Sequence, residues 1–577
     1  MSETFSEGPT EVLQTADGIQ DMQGQARDTL AGEERQEMIG RQVMELFTPT
    51  AEHFASERLL DSRLAELAEE FLRAPDAGQQ PCRDEIQGLF SSTIIHEEPM
   101  TPEIYVEDLL RRLVAKSSHT ASPRFVGHMT SALPSFVRPL GQLMTALNQN
   151  VVKVETSSAL SLVERQVLGM LHQLIWGDPK EVYLKGLHHS EQTFGMVTSG
   201  GTVANLTAMW CARNAVFRPE GDFAGIEAEG WGAALAHTGY RGAVIVGPSS
   251  MHYSFAKAAD VLGLGTQGLV GTPLDDRGRA DVEALRRTVD DCKARGLKVL
   301  ALVGVAGSTD CGAVDPLEAM ADLAEDKGIH FHVDAAWGGP VLFSKQHRSL
   351  LAGIERADSV TVDGHKQLYL PMGIGLLLLR SPSLAAVIEK EAQYIIRRGS
   401  ADLGRRSLEG SRPGRSLLLH AGLHLLGLDG YGYLIDEGIR KTRYLAERAK
   451  ASQAFELLMD PMINLVVYRY IPTALQQKVA SGDPLTLLEN QEIDRVNEWL
   501  QTAQWTAGRT FTSRTRVALT HHGTGPVVAL RAVIANPLTT EADIDAVLAD
   551  QETIGREVEG GPRPSQYGAE TSVESDV

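Results

Sequence analysis

The chain has 577 residues, 43% hydrophobic and 22% charged, an ordinary balance for a globular protein with a substantial core. Asp and Glu outnumber Lys and Arg by 75 to 54, a formal net charge of −21. That balance argues against a large nucleic-acid or anionic-membrane surface, because binding phosphates needs concentrated positive charge. Length alone allows two to four domains.

Cys82, Cys211, Cys292 and Cys311 are scattered, without CxxC pairs or metal-ligand spacing, so no metal is expected and the thiols read as reduced. Residues 1–30 lack the basic and apolar regions of a signal peptide, and no apolar run approaches the roughly 20 residues that span a bilayer. A cytoplasmic enzyme is the expectation, with neither membrane nor nucleic acid as partner.

Residues 1–32 are polar and read as a disordered tail. Residues 33–120 turn helical, with apolar positions recurring at three and four in ELFTPTAEHFASERLLDSRLAELAEEFL and prolines dividing the run. Such a preface suits an arm that buries its apolar face against a second subunit. Residues 121–415 alternate helical and strand-like segments, the pattern of a large doubly wound α/β domain with a mainly parallel sheet. The expected strands are Gly242–Val246, Val299–Gly304, Ile329–Val333, Ser359–Val362 and Gly375–Leu379. Residues 416–555 mix helices with INLVVYRYI and VVALRAVIA, as a small α+β domain would, and residues 556–577 read as a second disordered tail.

Two of these strands end in groups that packing alone does not call for. Ile329–Val333 runs into Asp334, and Ser359–Val362 runs into Asp363-Gly364-His365-Lys366. Ligands of parallel sheets bind at the strands' carboxyl ends, so Asp334 and Lys366 are placed to share one crevice. That pairing suits a pyridoxal phosphate enzyme, in which lysine forms the Schiff base and an aspartate holds the pyridine nitrogen protonated. Small Ala336 suits a residue lying against a flat ring, and His365 adjoins the lysine.

Upstream, MVTSGGTVAN is a strand end, a glycine-rich turn and a helix start, where backbone N–H groups and the helix dipole favour an anion. Ser199, Gly200, Gly201 and Thr202 are therefore candidate phosphate ligands, although the same turn also reads as an ordinary helix cap. His252 follows another strand, placed to stack on a ring and take part in proton transfer. Thr309 in GSTDCGAVDP is a candidate ring contact, and Asp315-Pro316 reads as a structural helix start.

TSGGTVANLTAM, SSMHYSFAKAA, GSTDCGAVDP, HVDAAWGG and DGHK, in this order, resemble the group II pyridoxal-5'-phosphate-dependent decarboxylases. The long helical preface and FVGHMTSALPSF…NQNVVKVETSSALSLVERQ look most like the aspartate 1-decarboxylases of the PanP type, which make β-alanine. The resemblance implies a fold-type I PLP-dependent transferase fold and a homodimer with its active site at the interface. It matches Lys366 to the Schiff-base lysine, Asp334 to the pyridinium partner, His252 to the stacking histidine, and Gly200, Gly201 and Thr202 to the phosphate loop. Arg531 matches an arginine that binds the substrate α-carboxylate; its bland alternative is an inter-strand salt bridge.

Two departures stand out. His128 occupies a position where glutamate decarboxylases carry a substrate-contacting glutamine, which makes it a candidate for recognising the side-chain carboxylate. The family's mobile loop, expected near residues 397–409, has no tyrosine here, leaving Tyr394 just before it as a candidate proton donor. The expected reaction is decarboxylation of an acidic L-amino acid, with aspartate first. Glutamate, cysteine sulfinate and aromatic decarboxylation, and then a non-decarboxylating lyase, stand as alternatives.

Overall fold

The computed structural model describes residues 32–47, 50–74, 76–78, 83–392, 399–518 and 525–561. The chain separates into two compact units, residues 1–74 with 81–117, and residues 75–80 with 118–577. In the first unit lie helices α1 (Gly32–Glu45), α2 (Ala51–Arg73), α3 (Arg83–Leu89) and α4 (Pro102–Arg112). Phe47, Leu59, Ile94 and Ile95 of this unit are exposed, with Ile95 at 92%.

In the second unit a seven-stranded sheet forms from β1 (Gly195–Thr198), β2 (Gly242–Pro248), β3 (Leu269–Thr272), β4 (Leu297–Val305), β5 (His330–Asp334), β6 (Ser359–Asp363) and β7 (Gly375–Leu379). Its spatial order is β1-β7-β6-β5-β4-β2-β3. Only β7 runs against its neighbours in this sheet; the other pairings are parallel. Helices α5 (Ala159–Trp176), α6 (Gly201–Val216), α7 (Ser254–Val261), α8 (Val282–Ala294) and α9 (Leu317–Lys327) alternate with these strands. This is the mainly parallel α/β architecture expected from the sequence. Strands β6 and β7 are buried at every position, which is why SVTVD and GLLLL read as continuous rather than alternating patterns.

All five expected strands form, each within two residues of its reading at either end. β3 escaped because LVGT is short, contains glycine and lies at the sheet edge. Helices α10 (Ser416–Leu425) and α11 (Gly427–Ala451) lead into a four-stranded antiparallel sheet ordered β10-β11-β9-β8. Its strands are β8 (Phe455–Leu457), β9 (Leu465–Tyr470), β10 (Ser513–Ala518) and β11 (Pro526–Val533), with helices α12 (Leu487–Ala507) and α13 (Glu541–Val558) beside them. Thr486 with Glu489 and Thr540 with Asp543 form capping boxes that open α12 and α13. Each cap contributes about 1 kcal/mol by satisfying backbone donors that the first turn leaves unpaired. α13 runs on past residue 555 to Val558. Cys211, Cys292 and Cys311 are buried and unbridged, and Cys82 lies outside the described residues.

Candidate active site

The carboxyl ends of β1, β4, β5 and β6 open onto a cavity of about 290 Å³. Lys366, Asp334, His252, His365, Thr309 and Ala336 line it, together with the whole turn Ser199, Gly200, Gly201 and Thr202. Ten residues singled out in the sequence thus share one cavity.

The turn is shaped by close packing. A Cβ on Gly375, at the start of β7, would lie 2.4 Å from the carbonyl carbon of Gly200. A Cβ on Gly201 would lie 2.9 Å from Asp363 Oδ2. Neither position admits a side chain, so the backbone at the start of α6 stays open to the cavity. Gly201 and Thr202, which open this 16-residue helix, line the cavity, where first-turn N–H groups can serve as anion donors; the N–H of Val203 is already given to the carbonyl of Gly200 at 3.0 Å. Ser250 Oγ, on the cavity wall, is buried without a hydrogen-bond partner among the described residues. The amide of Ser199 differs from its neighbours, since it already donates to Glu409 Oε2 at 3.1 Å.

Asp334 ends β5 with both oxygens engaged. Oδ1 accepts the N–H of Ala336 at 3.1 Å, and Oδ2 accepts Asn205 Nδ2 at 2.8 Å. Asn205 lies one turn along α6 from Gly201, so one helix supplies both the anion turn and the support for the carboxylate. Lys366 Nζ lies 3.0 Å from Asp363 Oδ2, an i,i+3 ion pair whose carboxylate is 4% exposed. His365 donates Nδ1–H to the carbonyl of Ile374 at 2.7 Å, with Nε2 3.7 Å from Asp363.

His252 accepts the N–H of Ser254 at Nδ1, 3.3 Å away, so its proton sits on Nε2 when the ring is neutral. Burial is the main force holding this histidine below its ordinary value, with Asp334 opposing. Three residues after Lys366, Tyr369 adopts φ +57°. That left-handed geometry costs a tyrosine about 1–2 kcal/mol. It is retained because the buried phenol donates to the carbonyl of Ala535 at 3.0 Å. The lysine turn is thus braced from the far side, as it also is by Gln367, which donates to Trp337 O at 2.7 Å and accepts from Asn464 at 2.8 Å.

Arg531 and His128 do not line this cavity but flank it. The Arg531 guanidinium donates through Nε to the carbonyl of Thr309 at 2.6 Å. Its Nη1 donates to Ser513 Oγ at 3.0 Å and Gly127 O at 3.3 Å. No carboxylate forms an ion pair with it among the described residues, which removes the inter-strand salt bridge as its explanation. Burial pushes the guanidinium down to about 10. His128 has an exposed side chain, held below its ordinary value by partial desolvation of the ring and then by the positive charges of Arg531, Lys366 and His365.

Two arginines within residues 397–409 are anchored by the fold. Arg405, 2% exposed, and Arg406 both pair with Glu389, and they donate to the carbonyls of Ser400 and Ser190. They tie the chain down. Tyr394 lies outside the described residues. Asp315 is structural as expected, accepting the N–H groups of Ala280 and Val305 at 2.7 Å each.

Residues 90–471, more than half of the chain, match a family model described as the pyridoxal-dependent decarboxylase conserved domain. The chain belongs to this decarboxylase family. It is 42% identical over 513 residues to the aspartate 1-decarboxylase of Aliivibrio fischeri, covering 89% of this chain and 94% of that one. It is 31% identical to the cysteine sulfinic acid decarboxylase of Mus musculus, over 78% of this chain and 85% of the other. The crystal structure of mouse CSAD in apo form superposes with a TM-score of 0.75 at 27% identity, covering 88% of this chain and all of that one (100%). Oryza sativa TDC with PLP and tryptamine shares the fold at a TM-score of 0.74 and 18% identity, over 88% and 99% of the two chains.

The decarboxylase is therefore a pyridoxal-5'-phosphate-dependent carboxy-lyase of fold type I. Its cavity fits the cofactor: an open helix N-terminus and an unpartnered hydroxyl suit a phosphate, a buried carboxylate suits a ring nitrogen, and an amine suits an aldehyde. Among the described residues no group of three or more His, Cys, Asp or Glu side chains is arranged to hold a metal ion. No helix there is long and apolar enough to cross a membrane.

Asp363 and Asn205 join the site without having been among the residues expected there. Asp363 carried a signal, three residues before the lysine. Asn205 did too, as a lone amide among the apolar residues of TVANLTAMW.

Proposed function

We propose that this decarboxylase removes the α-carboxylate of an acidic L-amino acid, with L-aspartate as substrate and β-alanine and CO2 as products. The carrying observation is the 42% identity, over nearly the whole chain, to a protein named aspartate 1-decarboxylase. The charge around the cavity supports it. Arg531 is a buried cation without a carboxylate partner among the described residues, hydrogen-bonded to the cavity residue Thr309. An anionic substrate supplies the missing partner.

When bound, pyridoxal phosphate supplies an electron sink for the bond broken at Cα. The chain's own residues do the rest. The N–H groups of Gly201 and Thr202 would hold the phosphate, while Asp334 would accept a hydrogen bond from the ring nitrogen and keep it protonated. Lys366 attaches the cofactor, with Asp363 orienting its amine. His252 covers the ring and holds a proton at Nε2. Arg531 takes the α-carboxylate, and His128, neutral before substrate arrives, offers an N–H to the side-chain carboxylate. Orientation of this kind supplies several kcal/mol by converting a bimolecular encounter into a positioned one.

A homodimer with the active site at the interface completes the reading, and the enzyme works in the cytoplasm. The exposed apolar side chains Phe47, Leu59, Ile94 and Ile95 support residues 33–120 as a dimerisation segment. Residues 121–415 form the large cofactor-binding domain and 416–555 the small one.

Aspartate and glutamate differ by one methylene, worth only about 1–3 kcal/mol in pocket discrimination. The test is product analysis with L-aspartate, L-glutamate and L-cysteine sulfinate, in wild type and His128→Gln. Aspartate should give the highest kcat/KM, and the variant should reduce the aspartate-to-glutamate ratio about 10-fold. Preference for glutamate or cysteine sulfinate would overturn the substrate assignment; a keto acid or aldehyde without CO2 would overturn the reaction.

A further inference from the structure

Strand β5 reads His330-Phe331-His332-Val333-Asp334, and its period of two puts His330, His332 and Asp334 on one face. Ser359 of β6 sits opposite His332 in the parallel register. Asn205 of α6 reaches the same face. His332, Ser359, Asn205 and Asp334 are buried and His330 is half-buried, and the five are joined end to end. His330 Nε2 lies 2.7 Å from Ser359 Oγ, which lies 2.8 Å from His332 Nδ1; His332 Nε2 lies 3.1 Å from Asn205 Oδ1, and Asn205 Nδ2 lies 2.8 Å from Asp334 Oδ2.

The direction of each bond can be worked out from the carboxylate outward. Asp334 is an acceptor, so the amide of Asn205 must present Nδ2 to it; the second Nδ2 hydrogen goes to Ser254 Oγ at 3.0 Å. Oδ1 of Asn205 then faces His332 and needs a donor, which fixes the His332 proton on Nε2. Burial pushes His332 down to about 3, so its ring holds a single proton and Nδ1 accepts. The hydroxyl of Ser359 fills that acceptor, which leaves His330 Nε2–H as donor to Ser359. Each of the four hydrogen bonds that link His330 to Asp334 thus points toward Asp334.

We propose that His332, with Ser359 and His330 behind it, is a positioning residue: it locks the amide of Asn205 donor-side toward Asp334 and so aims the carboxylate at the cofactor ring nitrogen. Without the His332 N–H, the Asn205 amide is free to turn its oxygen to Asp334, replacing an attractive contact with a repulsive one. The relay rests on the cavity being the cofactor site and adds residues that touch neither cofactor nor substrate.

The test compares His332→Leu, His332→Gln and Ser359→Ala with wild type. Read-outs are pyridoxal phosphate affinity by titration of visible absorbance, and kcat and KM for aspartate. His332→Leu should weaken cofactor affinity and lower kcat, each by about 10-fold or more, the scale of a lost buried hydrogen bond to a charged network. Its KM should stay within about 2-fold, because the substrate clamp is untouched. Glutamine can donate from the same place, so His332→Gln should recover both parameters to within about 3-fold. Wild-type affinity and kcat in His332→Leu, or equal damage in leucine and glutamine variants, would overturn the proposal. Should the leucine variant not fold, Ser359→Ala decides: it removes one small group, and unchanged affinity and kcat there would contradict the relay. Wild-type protein that binds no cofactor would instead overturn the reading of the cavity itself.

Discussion

Asp363 Oδ2 stands 3.0 Å from Lys366 Nζ, on the turn that carries the chain out of β6. The carboxylate is buried, and its other oxygen has no partner among the described residues, so the lysine amine is its principal ligand. Asp363→Asn keeps the shape and removes the charge. The variant is expected to lower kcat about 10- to 100-fold, because a misplacement of about 1 Å in a reacting group costs on that order. KM should change little. Steady-state kinetics check this, and an unchanged kcat would remove Asp363 from the site.

Asp334→Ala should cost several orders of magnitude in kcat, since the ring would lose the group that keeps its nitrogen protonated. The Asn205 amide would lose its acceptor as well. Single-turnover measurements on cofactor-loaded protein separate this loss from weaker cofactor binding. Turnover near wild type would contradict the role of Asp334.

Acid should destabilise the fold through two buried histidines. Burial pushes His332 down to about 3 and His172 down to about 4, while unfolded histidine titrates near 6.5. Below about pH 6.5 the unfolded chain takes up protons that the folded chain refuses, so stability present above that pH is lost as pH falls toward 4 and then 3. Going from pH 7 to pH 5 should cost about 2 kcal/mol for each histidine. Urea midpoints at the two pH values measure it, and His172→Phe should remove one histidine's share of the pH dependence. A midpoint independent of pH would contradict the assignment.

Glu164 on α5 and Arg412 form a bidentate pair, with exposures of 1% and 8%. The pair anchors the chain just after residues 399–409. Glu164→Ala leaves the guanidinium buried without its partner and should destabilise by about 3–5 kcal/mol. Chemical denaturation checks this. A Glu164→Leu, Arg412→Met double variant should recover much of the loss, because no charge is then left unpaired.

The central strands and their terminal chemistry were legible because buried parallel strands leave long Val, Ile and Leu runs, and a carboxylate or lysine at such a run's end has no packing reason to be there. β10 was not legible: SRTRVA alternates partly buried and exposed positions at a sheet edge and reads like a solvated loop. The anchoring of Arg405 and Arg406 was not legible for a related reason, since sequence shows their charge but not the carboxylate of Glu389 that meets it. The histidine alternation in HFHVD was visible, yet its meaning depends on Asn205, which a helix brings from more than a hundred residues away.

The most direct test of the account is where the cofactor attaches. Protein loaded with pyridoxal phosphate, reduced with borohydride and digested, should carry a single pyridoxyl mark on Lys366 by peptide mass spectrometry, and Lys366→Ala should carry none. A mark on another lysine, or no mark on wild type, would contradict it.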